Sequence, residues 1–167
     1  MANTDDNFED LKNCALTPER EQELLDAQRE CVFSWTNKKG EAVGVIVSYF
    51  NHGGKIWMTC AEGRARVSAI RRFPRASVCI TSSGTRLGTG KTITYKGDCI
   101  VHKDRETLDW FYPAFATDRR ATAEGVEAYI EHLNSPDWTL SFDSEALWER
   151  APLAASDKDD PRNSGMV

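Results

Sequence analysis

The sequence predicts a mainly β protein, an antiparallel barrel with flanking helices. Three observations carry this prediction. Short runs of β-branched and aromatic residues recur from Cys31 to His102, separated by Gly- and Asn-containing turns. The connections in the first half are too short for crossovers, so successive strands must run antiparallel. One helical segment alone interrupts the strands, which argues against the repeated units of ~30 residues that build a doubly wound parallel sheet.

The chain opens polar and acidic, and residues 1–16 read as a flexible N-terminal segment. Thr17-Pro18-Glu19 starts a helix, with a hydroxyl N-cap, Pro at the first helical position and acid in the first turn. Leu24 and Leu25 supply its apolar stripe, and it ends near Glu30. Cys31–Thr36 and Ala42–Phe50 read as strands around the turn Asn37-Lys38-Lys39-Gly40. Asn51-His52-Gly53-Gly54 makes the next turn, into a third strand at Lys55–Cys60, and the three strands are expected to form one meander.

Ala61-Glu62-Gly63 breaks the pattern, and Arg64–Phe73 follows as a short helix with Val67 and Ile70 three apart, stopped by Pro74. Arg75–Thr81 is a fourth strand, Ser82–Gly90 a loop, and Lys91–His102 a long fifth strand. Asp104 caps a helix carrying Leu108, Phe111 and Tyr112, which Pro113 ends or bends. Thr122 caps another, with Val126, Tyr129, Ile130 and Leu133 on one face. Trp138–Phe142 alternates as a last strand. Beyond Ala154 the composition turns to Ser, Asp, Lys, Pro and Gly, so 154–167 reads as a disordered tail and 17–153 as the single folded domain.

Bulk properties narrow the function. Hydrophobic content of 40% and charged content of 28% are globular values. A net charge of −5 argues against a general nucleic-acid partner but is compatible with a small anion at a local arginine cluster. No apolar run approaches a membrane span, and the acidic start lacks a signal segment, so a cytoplasmic protein is expected. Cys14, Cys31, Cys60, Cys79 and Cys99 are odd in number, scattered and free of C-x-x-C pairs, which points to reduced, structural thiols. His52, His102 and His132 show no metal-ligand spacing. The stretch from Gly84 to Thr92 is not a P-loop, because Thr85 stands where the first Gly belongs and Ile93-Thr94-Tyr95 continues as strand.

The segment that carries chemistry runs from Ile56 to Val78. It is a strand, a Gly-containing turn and a helix start, where free N–H groups favour an anion. Arg64 and Arg66 add charge and forked donors suited to phosphate. Arg71, Arg72 and Arg75 lie past the helix start and read as a solvated face.

Gly63-Arg64-Ala65-Arg66, followed by Ala69-Ile70-Arg71-Arg72-Phe73-Pro74-Arg75-Ala76-Ser77-Val78, resembles the signature of the pyridoxamine 5′-phosphate oxidase-like superfamily. The order of elements agrees over residues 20–142, and the residue pattern over 42–81. The resemblance implies an antiparallel split β-barrel, a homodimer, and FMN or a deazaflavin coenzyme bound in clefts between subunits. It places the ring along Gly44, Val45, Ile46 and Val47, and the phosphate or ribityl chain at Thr59 and Cys60. Arg66 matches the basic phosphate ligand, and Arg64 a second one of the deazaflavin branch. Thr92 lies where the partner subunit often presents a Gln to the ring; here the Gln is missing.

A true pyridoxamine phosphate oxidase is disfavoured. Tyr49 replaces its substrate-binding Lys, and its C-terminal Arg-rich segment has no match in Ser135–Pro152. The implied activity is a flavin-dependent oxidoreductase passing hydride or electrons to a small conjugated or quinone-like acceptor, with Tyr49 and Trp57 shaping the acceptor pocket. No catalytic side chain is assigned. Arg86, Lys91, Arg119 and Arg120 are the basic residues available for a longer anionic coenzyme tail. The alternative is a non-catalytic flavin- or haem-binding split-barrel sensor or carrier.

Overall fold

The computed structural model describes residues 15–135, 140–144 and 149–150. The expected N-terminal segment, apart from residues 15 and 16, and the expected tail lie outside them, as do Trp138 and Thr139 of the expected last strand.

Helix α1 (Pro18–Ala27) starts where the Thr17 hydroxyl accepts from the Arg20 N–H. Strands β1 (Glu30–Thr36) and β2 (Ala42–Ser48) form a hairpin with Cys31 opposite Val47 and Trp35 opposite Val43. Strands β3 (Phe50–His52) and β4 (Lys55–Cys60) form a second hairpin. Its two-residue turn is Gly53-Gly54, both at positive φ, as a tight hairpin turn of this twist requires. Helix α2 (Ala65–Arg72) leads into β5 (Arg75–Thr81), which pairs with the first part of β6 (Thr92–His102). Helices α3 (Arg105–Arg119) and α4 (Ala123–Leu133) follow, then β7 (Leu140–Ser144) and β8 (Glu149–Arg150).

The strand order is β2-β1-β5-β6-β7-β4-β3, every pairing antiparallel, with β8 also on β6. This corrects the expected meander. The run read as one strand, Ala42–Phe50, is interrupted at Tyr49, and β2 and β3 lie at opposite ends of the order. Tyr49 explains the break. Its N–H donates to the Arg29 carbonyl at 3.2 Å and its hydroxyl to the Leu25 carbonyl at 2.9 Å, so its backbone leaves the ladder while its ring, 2% exposed, stays in the core.

The barrel interior is filled by alternate residues of each strand: Cys31, Phe33 and Trp35 of β1, Ile56, Met58 and Cys60 of β4, Val78 and Ile80 of β5, Ile93 and Cys99 of β6. Leu24 of α1 and Val67 and Ile70 of α2 join this core. A second cluster lies on the other face of β4, where Trp57 meets Leu108, Phe111, Tyr112 and Phe115 of α3. Its burial explains why Pro113 does not end the helix. Asp109, whose carbonyl loses its partner, is exposed and can be hydrated there, while Phe115 and Ala116 beyond it are buried.

Candidate functional site

The chain leaves β4 at Cys60, turns through Ala61-Glu62-Gly63, and enters α2 with Arg64 as its N-cap residue. The Arg64 N–H closes the turn on the Ala61 carbonyl at 3.2 Å, and the Val67 N–H returns to the Arg64 carbonyl at 3.0 Å. No side chain caps the helix. Its open N–H groups and dipole therefore face outward beside two guanidinium groups. Val67, Ala69 and Ile70, all buried, fix the helix against the barrel and with it the position of Arg66.

Electrostatically the turn is basic and its one carboxylate is occupied. Glu62 bonds Arg71 at 2.6 Å and Lys103 at 2.5 Å. Among the described residues, neither Arg64 nor Arg66 has an acidic partner. The thiol of Cys60, at the end of β4 before the turn, is fully buried. Burial pushes that thiol above its ordinary value, against the opposing pull of Arg66 and then Arg64, so it stays protonated at neutral pH. Thr59 points to the other face of β4. There its hydroxyl is hydrogen-bonded to Tyr112, whose phenol burial likewise raises.

The remaining expected site residues divide by the pleat of β2. Gly44 and Ile46 face outward and Val45 and Val47 pack on the core. Ile46 is 70% exposed and opposite Val32, itself 39% exposed; Val32 is opposite Cys79, and Cys79 opposite Thr94. The neighbouring row is Gly44, Ser34, Ser77 and Lys96, and Thr92 begins the same face of β6. Two cavities open on this face. One of about 270 Å³ reaches from Ile46 and Val32 to Thr81 and Gly84; one of about 250 Å³ lies between Ala42, Ser34, Ser77 and Arg75. Gly44 keeps the surface open, since a Cβ there would meet the Ser34 Oγ at 3.2 Å and the Val32 Cγ1 at 3.3 Å.

Tyr49 and Trp57 are not brought together. Tyr49 belongs to the barrel core at the β2–β3 corner. Trp57 is in the α3 cluster, edge-on to Trp110 at 4.8 Å, with its ring N–H donated to the His52 carbonyl at 3.2 Å. The four basic residues considered for an anionic tail are dispersed as well. Arg86 pairs with Glu23 at 3.5 Å, Lys91 is buried with its ammonium on the Leu87 carbonyl at 3.0 Å, Arg119 is bonded to the Tyr49 carbonyl, and Arg120 lies over Tyr129 at 4.2 Å. Sequence reasoning missed the roles of Glu62 and Tyr112. Arg71 was legible only as a solvated residue, because the Lys103 that shares Glu62 with it arrives from the end of β6.

A conserved hypothetical protein from Mycobacterium tuberculosis superposes with a TM-score of 0.69 at 12% identity, over 86% of this chain and 87% of that one. A candidate pyridoxamine 5′-phosphate oxidase from Listeria innocua gives 0.55 at 12%, over 75% and 90%. The fold is that of the pyridoxamine 5′-phosphate oxidase-like split barrels. A heme binding protein from Mycobacterium smegmatis gives 0.53 at 16% identity, over 77% of this chain and 52% of that one, so split barrels of this kind include haem binders. No protein-family model matches the sequence, and no curated protein matches it. Among the described residues, no helix is long and apolar enough to cross a membrane.

Proposed function

We propose that the protein is a flavin-dependent oxidoreductase that binds FMN, or a deazaflavin coenzyme, and acts as a homodimer on a small conjugated or quinone-like acceptor. The observation that carries this reading is the basic turn. Arg64 and Arg66 stand at an uncapped helix start with no acidic partner among the described residues, on a fold shared with a candidate pyridoxamine 5′-phosphate oxidase. Such a turn fits a phosphate, through charge-assisted bonds and open N–H groups. The outer face of β2, kept low at Gly44, fits a flat ring, and a second subunit laid on Ile46 and Val32 would cover both.

When bound, the cofactor supplies the hydride or electron chemistry. The chain's own part is to hold the phosphate at Arg64 and Arg66, present the apolar β2 face to the ring, and exclude water across the subunit interface. Cys60, fully buried at the end of β4, supports the turn by packing in the core. Thr59, bonded to Tyr112, stands behind the strand. Replacing Arg66 with Ala is expected to weaken FMN binding by ~1–3 kcal/mol, the range for a lost charge-assisted contact. A fluorescence titration of wild type and variant measures this, and equal affinities would contradict the assignment of Arg66.

The second reading is a flavin or haem carrier without turnover. The shared fold of the heme binding protein from Mycobacterium smegmatis favours it. Bound cofactor that NAD(P)H, reduced deazaflavin and common acceptors all leave unchanged would select this reading, and rapid turnover would exclude it.

A further inference from the structure

One carboxylate of the turn, Glu62, is shared by two cations. Arg71 of α2 lies 2.6 Å from one of its oxygens, and Lys103, the residue after β6, lies 2.5 Å from the other. Helix side chains lean toward the N-terminus, so the Arg71 guanidinium returns along α2 to the turn that the Arg64 N–H closes. Arg64 and Arg71 are seven residues apart and share a helix face, with the exposed Ser68 between them. Arg64, Arg66, Arg71 and Lys103 are thus gathered around a single carboxylate. The neighbouring acid, Asp104, is committed elsewhere: it accepts from the Thr107 N–H at 2.8 Å and lies 3.5 Å from His102. Among the described residues the turn therefore carries a surplus of positive charge, whose self-repulsion a bound anion would relieve.

We propose that Arg71 and Lys103 form a second anion subsite beside the phosphate anchor, filled by Glu62 as an internal anion until the ligand's own second anionic group takes its place. The ligand class is then a phosphate extended by a further phosphate or carboxylate, rather than a simple monophosphate. The proposal rests on the phosphate-anchor reading above and adds what lies beyond the phosphate. The side chains of Glu62, Arg71 and Lys103 are 35%, 42% and 51% exposed, so Glu62 can swing into water and a ligand can reach both cations. Exposed ion pairs of this kind are individually weak, so they yield to an anionic group already tethered at the anchor. Glu62 makes the turn selective, because a monophosphate leaves it in place and a longer anion displaces it.

The test is calorimetric titration of the full-length chain with inorganic phosphate and with pyrophosphate, at about 0.15 M salt to screen distant charges. It compares wild type, Glu62→Gln and the Arg71→Gln/Lys103→Gln double variant, with thermal melts to confirm that each folds. Wild type is expected to bind pyrophosphate about tenfold more tightly than phosphate, the scale of one added charge-assisted bond. Glu62→Gln removes the internal competitor and is expected to tighten pyrophosphate about fivefold and phosphate by less than about twofold. The double variant is expected to lose about tenfold for pyrophosphate and less than about threefold for phosphate. A Glu62→Gln variant that binds pyrophosphate no better, equal losses of both anions in the double variant, or a wild type that binds neither would overturn the proposal. FMN and a deazaflavin coenzyme, titrated in parallel, separate this proposal from the reading it rests on. If the pyrophosphate pattern holds while neither flavin binds, the flavin reading fails and the second subsite stands. If the flavins bind and the pyrophosphate pattern is missing, the second subsite fails and the anchor stands. With the pattern present, a double variant that loses about tenfold for the deazaflavin coenzyme but not for FMN assigns the second group to that coenzyme's tail; no such difference assigns it to a diphosphate.

Discussion

The guanidinium of Arg119 donates to the backbone carbonyl of Tyr49, at the point where the chain leaves β2 for the opposite edge of the barrel. The bond solves a problem the break creates. Tyr49 has left the ladder, and its carbonyl, beside a ring in the core, would otherwise lack a partner. Arg119 lies over the Phe115 ring with its charge centre 5.1 Å from the centroid, and its side chain is only 11% exposed. Burial lowers its pKa, against the attraction of Asp118, which also pairs with Arg29.

This relationship gives the first stability prediction. Arg119→Met keeps an unbranched apolar stem and removes the donor. It is expected to destabilise the fold by about 2–3 kcal/mol, because a buried carbonyl loses a charged partner and Asp118 loses one of its two cations. Urea denaturation measures the change. A loss below about 0.5 kcal/mol, the usual range of a surface substitution, would show that the corner holds without Arg119.

Asp104 contributes to the acid limb of stability. Its carboxylate accepts from the Thr107 N–H at 2.8 Å, and the Thr107 side chain, then its backbone, hold the pKa at about 2 against an ordinary 3.8. Because the folded value lies below the unfolded one, the contribution is fully present above about pH 4 and is lost as pH falls from there toward about 2. Thermal melts between pH 2 and pH 6 (about the range that brackets this titration) should show a steeper acid limb for wild type than for Asp104→Ala. Parallel curves would mean that the cap contributes nothing that titrates.

The outer sheet face tests the proposed dimer. Ile46 stands 70% exposed in a row of small and apolar residues. A carboxylate placed there twice per dimer would be desolvated opposite an apolar surface. Ile46→Glu is therefore expected to shift the protein from dimer to monomer in sedimentation or light-scattering measurements, with its melting temperature little changed. A wild-type monomer, or a dimer that tolerates Ile46→Glu at unchanged affinity, would contradict this placement of the interface.

Much of the fold was legible because local rules were obeyed where the strands and helices begin and end. Thr17, Asp104 and Thr122 cap the helices the pattern assigned to them, and Lys55–Cys60 and Arg75–Thr81 run over the residues expected. The errors arose where distant contacts decide the outcome. Tyr49 looks like any aromatic strand residue until Leu25, Arg29 and Arg119 engage it from three other segments. Pro113, read as ending or bending its helix, stays inside it because the aromatic cluster reaches beyond it. At the site, the basic turn was visible as a local motif, but the diversion of Glu62 to Arg71 and Lys103 was not. It depends on a partner some forty residues away (Glu62 and Lys103).

The central claim, that the Arg64–Arg66 turn anchors the phosphate of a flavin-type cofactor, is tested most directly by native mass spectrometry of the purified full-length protein, alone and after incubation with FMN and with a deazaflavin coenzyme. The account predicts one such coenzyme bound per chain, and lower occupancy in Arg66→Ala. A protein that carries haem instead, or that takes up neither coenzyme, would contradict it.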